Sequence, residues 1–159
     1  MTKQEEKQRL RRTMRTLERQ LPEKYKAASS RAICAHLLAM PEYQAASAVF
    51  CFVGTAREID TRPILADALA AGKRLSVPRC TGPGVMELRQ IRSFEELVPG
   101  AYGILEPPMT APLTDPDDVD LAILPCLTCN HLGQRLGQGG GYYDRFLSNY
   151  RGGTVLLCR

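Results

Sequence analysis

The sequence lacks any apolar run long enough to cross a membrane, and residues 1–20 lack the hydrophobic segment of a secretory signal. The longest apolar stretches, such as residues 48–53, are far shorter than a membrane-spanning helix. We therefore expect a cytoplasmic protein without membrane association. We also expect a monomer. Aromatic residues make up 6% of the chain and the net charge is a mild +4, which argues against nucleic-acid binding but favours anionic ligands.

The sequence also lacks a second CxxC pair. Cys126 and Cys129 form the one such pair, with His131 nearby, whereas a structural zinc normally has four ligands. Because no export signal is present, we expect reduced thiols that pack as small apolar side chains. A metal or redox role for the pair is the alternative. The six cysteines are Cys34, Cys51, Cys80, Cys126, Cys129 and Cys158.

Two common phosphate-binding loops are absent as well. The Walker A pattern needs Lys and Ser or Thr after its second glycine, but the fifth residue after Gly133 is Gln138. The dinucleotide fingerprint, started at Gly137, would need a glycine where Tyr142 stands. A nucleotide site in this chain must therefore use another arrangement of glycines.

The 159 residues predict one α/β domain with three layers, a mainly parallel central sheet flanked by helices in a Rossmann-like manner. The first helix is expected to bury Leu10, Met14, Leu17 and Leu21, and Thr61 is expected to cap the helix that contains Pro63. The predicted helices cover residues 2–20, 23–39, 62–71, 94–97 and 142–150. The predicted strands cover residues 48–53, 74–78, 86–91, 120–125 and 154–158, with a loop at 106–118.

Ligands of such sheets bind outside the carboxyl ends of the strands, which directs attention to the loops at residues 54–60 and 126–141. The second loop leads into "RLGQGGGYYDRFL", residues 135–147. A glycine-rich turn that opens a helix presents backbone N–H groups and the positive end of the helix dipole. Arg135 suits phosphate oxygens, the tyrosines can stack on a heterocycle, and Asp144 can hold Mg²⁺. The alternative is a glycine turn followed by two core tyrosines.

This string resembles the signature R-L-G-x-G-x-G-Y-Y-D of the 5-formyltetrahydrofolate cyclo-ligase family. Four other segments resemble family motifs in the same order. They are "KQRLR" at 7–11, "REIDTRPI" at 57–64, "AGKRLSVPR" at 71–79 and "PGAYGILEP" at 99–107. The resemblance spans nearly the whole chain and implies the cyclo-ligase type of α/β fold.

The resemblance also implies a reaction that requires ATP and Mg²⁺. The family converts 5-formyltetrahydrofolate, a reduced folate, to 5,10-methenyltetrahydrofolate and releases ADP and phosphate. Phosphorylation of the formyl oxygen makes an imidate phosphate, and N10 of the folate then closes the ring and expels phosphate. Such transfer depends on positioning and charge neutralisation, so a Ser/His/Asp set is not required. A divergent member that binds the ligands without turnover is the alternative.

Site residues follow from the resemblance position by position. The residues implied for ATP are Lys7, Arg11, Arg135, Leu136, Gly137, Gln138, Gly139, Gly140, Gly141, Tyr142 and Tyr143. The residues implied for folate are Val53, Glu58, Gln138, Gly139, Gly140, Gly141 and Tyr142. Asp144 would hold the metal, and Arg135, Tyr143 and Asp144 form the implied catalytic set. The alternatives are a solvated basic helix for Lys7 and Arg11, a loop carboxylate for Glu58, and a carboxylate favoured by the helix dipole for Asp144.

The chain departs from the family pattern at several places. "PCLTCN" stands where the family usually has P-G-[LVI]-A-[FY]-D, so Cys126, Cys129 and Asn130 replace a glycine, an aromatic residue and an aspartate. Gln138 stands where tyrosine or arginine is common. Family members continue past "TVLLCR" with further strands and a second acidic metal contact, so we expect the single domain, residues 1–159, to lack that C-terminal segment.

Overall fold

The computed structural model describes residues 1–100 and 103–159. Residues 101 and 102, in the "PGAYGILEP" stretch, lie outside the described residues. The helices are α1 (Lys3–Gln20), α2 (Glu23–Leu38), α3 (Pro41–Ala45), α4 (Arg62–Ala70) and α5 (Tyr142–Asn149). The strands are β1 (Ala48–Cys51), β2 (Arg74–Gly82), β3 (Val85–Ile91), β4 (Val98–Pro99), β5 (Leu105–Glu106), β6 (Leu113–Thr114), β7 (Leu121–Pro125), β8 (Thr128–Cys129), β9 (Arg135–Leu136) and β10 (Gly153–Leu157).

The central sheet has six strands in the order β10–β7–β1–β2–β3–β6. The first four strands run parallel, and β3 and β6 join them as antiparallel strands. β1 and β7 lie in the middle, and all their residues are buried, as the apolar sequence of both strands predicts. The predicted α/β fold with a mainly parallel sheet is confirmed.

Alternation along the central strands creates two apolar layers. Val49 and Cys51 of β1 face the core that contains Ile64 and Leu65 of α4, whereas Phe50 faces the core against which α5 packs. β7 divides its side chains in the same way. Helices α2 and α4 therefore cover one face of the sheet and α5 covers the other, which confirms the three layers.

Thr61 occupies the position before α4, but its side chain makes a different contact from the predicted helix cap. The hydroxyl donates to the Phe52 carbonyl (2.8 Å) and accepts from the Gly54 N–H (3.0 Å). Thr61 is 1% exposed, so these bonds satisfy a buried hydroxyl. The predicted N-cap position of Thr61 is confirmed, but its side chain makes no cap hydrogen bond and instead ties both ends of the loop after β1 together.

Helix α1 differs from its prediction in the side chains that it buries. Leu10 and Leu17 are 42% and 49% exposed, although the spacing predicted a buried face. Polar contacts join the helix to the rest of the fold: Arg11 and Arg15 reach residues 137–138, and Glu18 pairs with Arg159 at 2.7 Å. Helical spacing identified the helix but not the face that contacts the domain.

The end of β2 and three short elements also differ from the predictions. β2 continues to Gly82 rather than residue 78, because it pairs with β3 along a hairpin. Helix α3 was not predicted. The proposed loop at residues 106–118 contains β6, and Pro116–Asp118 forms a 3₁₀ turn. Elements of two to five residues are too short to display a periodic pattern. In the described parts of the chain, no helix combines the length and apolar character that crossing a bilayer requires.

Candidate active site

Two loops lie side by side at the carboxyl edge of the sheet. One loop follows β1 and leads to α4, and the other follows β7 and leads to α5. Because β1 and β7 are parallel neighbours, both loops leave the sheet at the same edge. The two loops that the sequence singled out therefore meet.

The second loop has a regular base and a glycine-rich tip. β8 and β9 pair as a small antiparallel hairpin, and Leu136 at its end is 8% exposed. Gly139 and Gly141 then take φ values of 103° and 75°, a region that side chains disfavour. Gly141 is the residue before α5, and its carbonyl accepts from the Arg145 N–H at 3.1 Å. We call residues 137–141 the glycine segment.

The positive φ of Gly141 gives a stability prediction. We expect Gly141→Ala to lower the free energy of unfolding by about 1–2 kcal/mol, the cost of forcing a residue with a Cβ into the left-handed region. A Cβ at Gly141 would enter open space, so the cost comes from the backbone alone.

Urea unfolding of this variant measures the loss. Gly82→Ala is the matched control, because that glycine also faces open space in the described structure and has no φ in the left-handed region. We expect the control to change stability by less than about 0.5 kcal/mol. Equal losses in the two variants would contradict the role of the backbone angle.

Arg135 holds the base of the glycine segment. Its Nε and one terminal nitrogen donate to the Pro125 carbonyl at 3.1 and 2.9 Å, and its other terminal nitrogen lies 3.4 Å from Asp144. The guanidinium carbon lies 5.3 Å from the centre of the Tyr143 ring. A Cβ at Gly137 would come within 2.8 Å of the guanidinium. Arg135 therefore links the end of β7, the glycine segment and the first turn of α5.

Tyr143 lies where the two loops meet. Its ring packs against both apolar cores. Burial, followed by the charge of Glu58, raises the pKa of the Tyr143 phenol, and nearby Arg135 opposes that rise. The phenol is therefore neutral at physiological pH and can donate a hydrogen bond.

Glu58 comes from the loop after β1. Its Oε1 accepts from the Thr55 N–H at 3.1 Å, and the Glu58 N–H donates to the Thr55 carbonyl at 3.0 Å. Val53, in the same loop, is 9% exposed. The carboxylate thus has a local structural contact in addition to any role toward a ligand.

Helix α1 contacts the glycine segment through two arginines. Arg11 Nε donates to the Gly137 carbonyl at 2.9 Å. Arg15 donates to the backbone carbonyl of Gln138 at 3.1 Å and to its side-chain oxygen at 2.8 Å. Sequence reasoning missed Arg15, which lies one turn after Arg11 on the same helix face. Lys7, one turn before Arg11, is exposed.

Tyr142 and Asp144 lie in the first turn of α5. The Asp144 side chain is 78% exposed beside Arg135. Tyr142 borders a cleft of about 330 Å³ between α5 and β3, whose other lining residues include Met86, Leu88 and Phe146. Sequence reasoning also missed this cleft, although Met86 and Leu88 alternate on one face of β3.

The chain matches the model of the 5-formyltetrahydrofolate cyclo-ligase family over residues 3–156. It belongs to this family. It is 32% identical over 123 residues to a probable 5-formyltetrahydrofolate cyclo-ligase of Schizosaccharomyces pombe, covering 75% of this chain and 60% of the relative. It is 40% identical over 108 residues to the mitochondrial 5-formyltetrahydrofolate cyclo-ligase of Arabidopsis thaliana, covering 59% of this chain and 39% of that protein.

A solved structure of a 5,10-methenyltetrahydrofolate synthetase has the same fold. The 5,10-methenyltetrahydrofolate synthetase of Aquifex aeolicus, determined by NMR, superposes with a TM-score of 0.84 at 30% identity. The match covers 95% of this chain and 76% of that structure. The sequence relatives named above are longer: the chain spans 60% of the Schizosaccharomyces pombe protein and 39% of the Arabidopsis thaliana protein, less than two thirds of either.

One departure from the cyclo-ligase pattern has a clear structural role. The Asn130 side-chain oxygen accepts from the N–H groups of Leu132 and Gln134, both at 3.0 Å, and its amide nitrogen donates to the Gln134 side chain at 2.8 Å. These bonds form the turn between β8 and β9. An aspartate could accept the two backbone bonds but could not donate the third.

The contact between α1 and the glycine segment gives a second prediction. We expect Arg11→Ala to lower the free energy of unfolding by about 1 kcal/mol, because it removes a charge-assisted hydrogen bond to Gly137. The same change should lower the NMR order parameter of the Gly137 amide. Lys7→Ala is the control, since it removes an equal charge from an exposed position of α1. If both variants mobilise Gly137 equally, the hydrogen bond does not order the segment.

Proposed function

We propose that the protein binds ATP on the glycine segment and converts 5-formyltetrahydrofolate to 5,10-methenyltetrahydrofolate, releasing ADP and phosphate. The observation that carries the proposal is the meeting of Arg135, Tyr143 and Glu58 from two loops at one sheet edge, in a chain of the cyclo-ligase family. Family membership favours the folate reaction, and the site chemistry is compatible with it.

The glycine segment and its neighbours suit a polyphosphate. Backbone N–H groups of residues 139–141 stand before the N-terminus of α5, where the helix dipole favours anions. Arg11 and Arg135 contact this segment, and Lys7 lies one turn away on α1. We assign the phosphates of ATP to these groups, with Leu136, Gln138, Tyr142 and Tyr143 completing the set.

Asp144 fits as one ligand for Mg²⁺. Its carboxylate is a hard oxygen donor, and its exposure leaves room for the waters and phosphate oxygens that Mg²⁺ usually retains. Bound Mg²⁺ would neutralise charge on the transferring phosphoryl group. The ion pair with Arg135 at 3.4 Å would hold the carboxylate near the phosphates.

We assign the folate to the other side of the same segment. Glu58 can accept two parallel N–H bonds from the pterin ring, and Val53 supplies an apolar wall. Residues 138–141 would contact both ligands. Tyr142, which borders the cleft beside α5, offers a ring for stacking.

The reaction requires positioned groups more than a protein nucleophile. The formyl oxygen bonds to the terminal phosphorus of ATP as the bond to ADP breaks. N10 then bonds to the formyl carbon, loses its proton, and the formyl oxygen departs within phosphate. Arg135 is suited to bind the phosphoryl oxygens, and the neutral phenol of Tyr143 can donate to one of them.

Absorbance of the methenyl product tests the activity directly. We expect a rise in product absorbance that requires 5-formyltetrahydrofolate, ATP and Mg²⁺ together. Calorimetric titration with each ligand runs in parallel. Binding of both without product would favour the divergent member without turnover, whereas failure of both to bind would contradict the proposal.

Expectations on partners and location stay predictions. These are a reduced folate as the small-molecule partner, a monomeric state, the absence of nucleic-acid binding and a cytoplasmic location. A steep dependence of RNA or DNA affinity on salt would contradict the third.

A further inference from the structure

Three cysteine side chains meet beside the base of the glycine segment. The sulfur atoms of Cys126, Cys129 and Cys158 all lie within 4.8 Å of one another. The first two form the CxxC pair, for which the sequence alone indicates no complete set of four ligands. The third is 29 positions farther along the chain than Cys129 and joins the pair through the fold.

Sheet topology explains why the three residues meet. β10 runs parallel to β7, and Leu157 lies opposite Pro125 in the register. Cys126 directly follows β7 and Cys158 directly follows β10, so both residues lie at the same edge of the sheet. The Cys126 sulfur lies 3.6 Å from the Leu157 carbonyl oxygen, and the β8–β9 hairpin brings Cys129 to the same place.

The sulfur positions suit a single small, thiophilic cation. Four-coordinate Zn²⁺ with Zn–S bonds of about 2.3 Å separates neighbouring sulfurs by roughly 3.8 Å. Sulfurs that already lie within 4.8 Å of one another need only a small contraction to reach that spacing. All three residues are partly exposed, whereas Cys34 and Cys51 are buried. An ion can therefore reach this cluster.

One positively charged side chain lies in the same part of the fold as the cluster. Arg135 lies opposite Cys129 in the β8–β9 pair, and its guanidinium binds the carbonyl of Pro125, the residue before Cys126. Three thiolates and one Zn²⁺ carry a net charge of −1, which the neighbouring guanidinium offsets. The same arginine thus borders both the cluster and the glycine segment.

We propose that Cys126, Cys129 and Cys158 bind one Zn²⁺ as thiolates, with an exchangeable ligand in the fourth position. The metal fastens the β8–β9 hairpin, and with it the base of the glycine segment, to the carboxyl end of β10. This site is separate from the proposed Mg²⁺ ligand Asp144 and does not depend on ATP or folate binding. Its ligands are soft sulfurs, which select Zn²⁺ over Mg²⁺.

Metal analysis of the full chain, purified under reducing conditions and supplied with Zn²⁺, tests the site. We expect one tightly retained zinc per chain after dialysis. Replacement by Co²⁺ should produce thiolate-to-cobalt charge-transfer absorption and the strong visible bands of a tetrahedral site. Cys158→Ser and Cys126→Ser should each lower zinc affinity at least about tenfold, since each removes one of three protein ligands. Cys80→Ser, a partly exposed cysteine outside the cluster, should retain zinc.

X-ray absorption of the zinc-loaded, unmutated protein keeps the proposal testable even if a serine variant fails to fold. We expect three sulfur neighbours at about 2.3 Å from zinc. A zinc shell of nitrogen and oxygen atoms, equal zinc loss in Cys80→Ser, or no zinc retention with no cobalt–thiolate absorption would each overturn the proposal. A disulfide between two of these cysteines in the reduced preparation would overturn it as well.

Discussion

Arg135→Ala is expected to lower the affinity for ATP about 10- to 100-fold, the effect of losing one charge-assisted contact of about 1.5–3 kcal/mol. The same change should lower the free energy of unfolding by about 1–3 kcal/mol, because the Pro125 carbonyl loses both of its guanidinium donors in a partly buried setting. Affinity for 5-formyltetrahydrofolate should change less. Calorimetry with each ligand and urea unfolding measure the three effects.

Arg135→Lys separates charge from geometry. Lysine retains the positive charge but not the planar fork that donates twice to Pro125 and packs over Tyr143. We expect it to recover part of the ATP affinity and little of the stability. If Arg135→Ala binds ATP as tightly as the unmutated chain does, Arg135 is not a phosphate ligand.

Glu58→Ala is expected to produce the opposite pattern. Folate affinity should fall about 10- to 100-fold, because the carboxylate's charge-assisted bonds to the pterin are lost. ATP affinity should stay within about twofold, since Glu58 belongs to the loop after β1 rather than to the glycine segment. Calorimetric titration of both ligands against one protein preparation gives the comparison.

Glu58→Gln is the matched control for loop structure. Its amide oxygen can still accept the Thr55 N–H that Oε1 accepts at 3.1 Å, but it lacks the negative charge. We expect Gln to preserve thermal stability and still lose most of the folate affinity. Full folate affinity in Glu58→Gln would show that the carboxylate serves the loop and not the ligand.

The central fold could be predicted from the sequence because its strongest signals coincide with its buried parts. The apolar runs that became β1 and β7 read as strands covered on both faces, and they lie in the middle of the sheet. The glycine string before α5 also indicated a close backbone turn, and Gly139 and Gly141 have the positive φ values that such a turn requires.

Tertiary contacts could not be predicted with the same success. Thr61, two residues before Pro63, indicates the start of a helix in the sequence. Only the fold reveals that its hydroxyl donates a hydrogen bond to the Phe52 carbonyl. The apolar spacing of α1 did not reveal that Leu10 and Leu17 remain exposed. The meeting of Cys158 with the CxxC pair depends on β10 lying beside β7, an order that local patterns do not encode.

The most direct test of the account follows the glycine amides by NMR while a non-hydrolysable ATP analogue and Mg²⁺ are added to ¹⁵N-glycine-labelled protein. We predict that the amide signals of Gly139, Gly140 and Gly141 shift in a saturable manner, while those of Gly72 and Gly153, at the amino edge of the sheet, stay fixed. Saturable nucleotide binding that leaves all three segment signals unmoved would contradict the central claim.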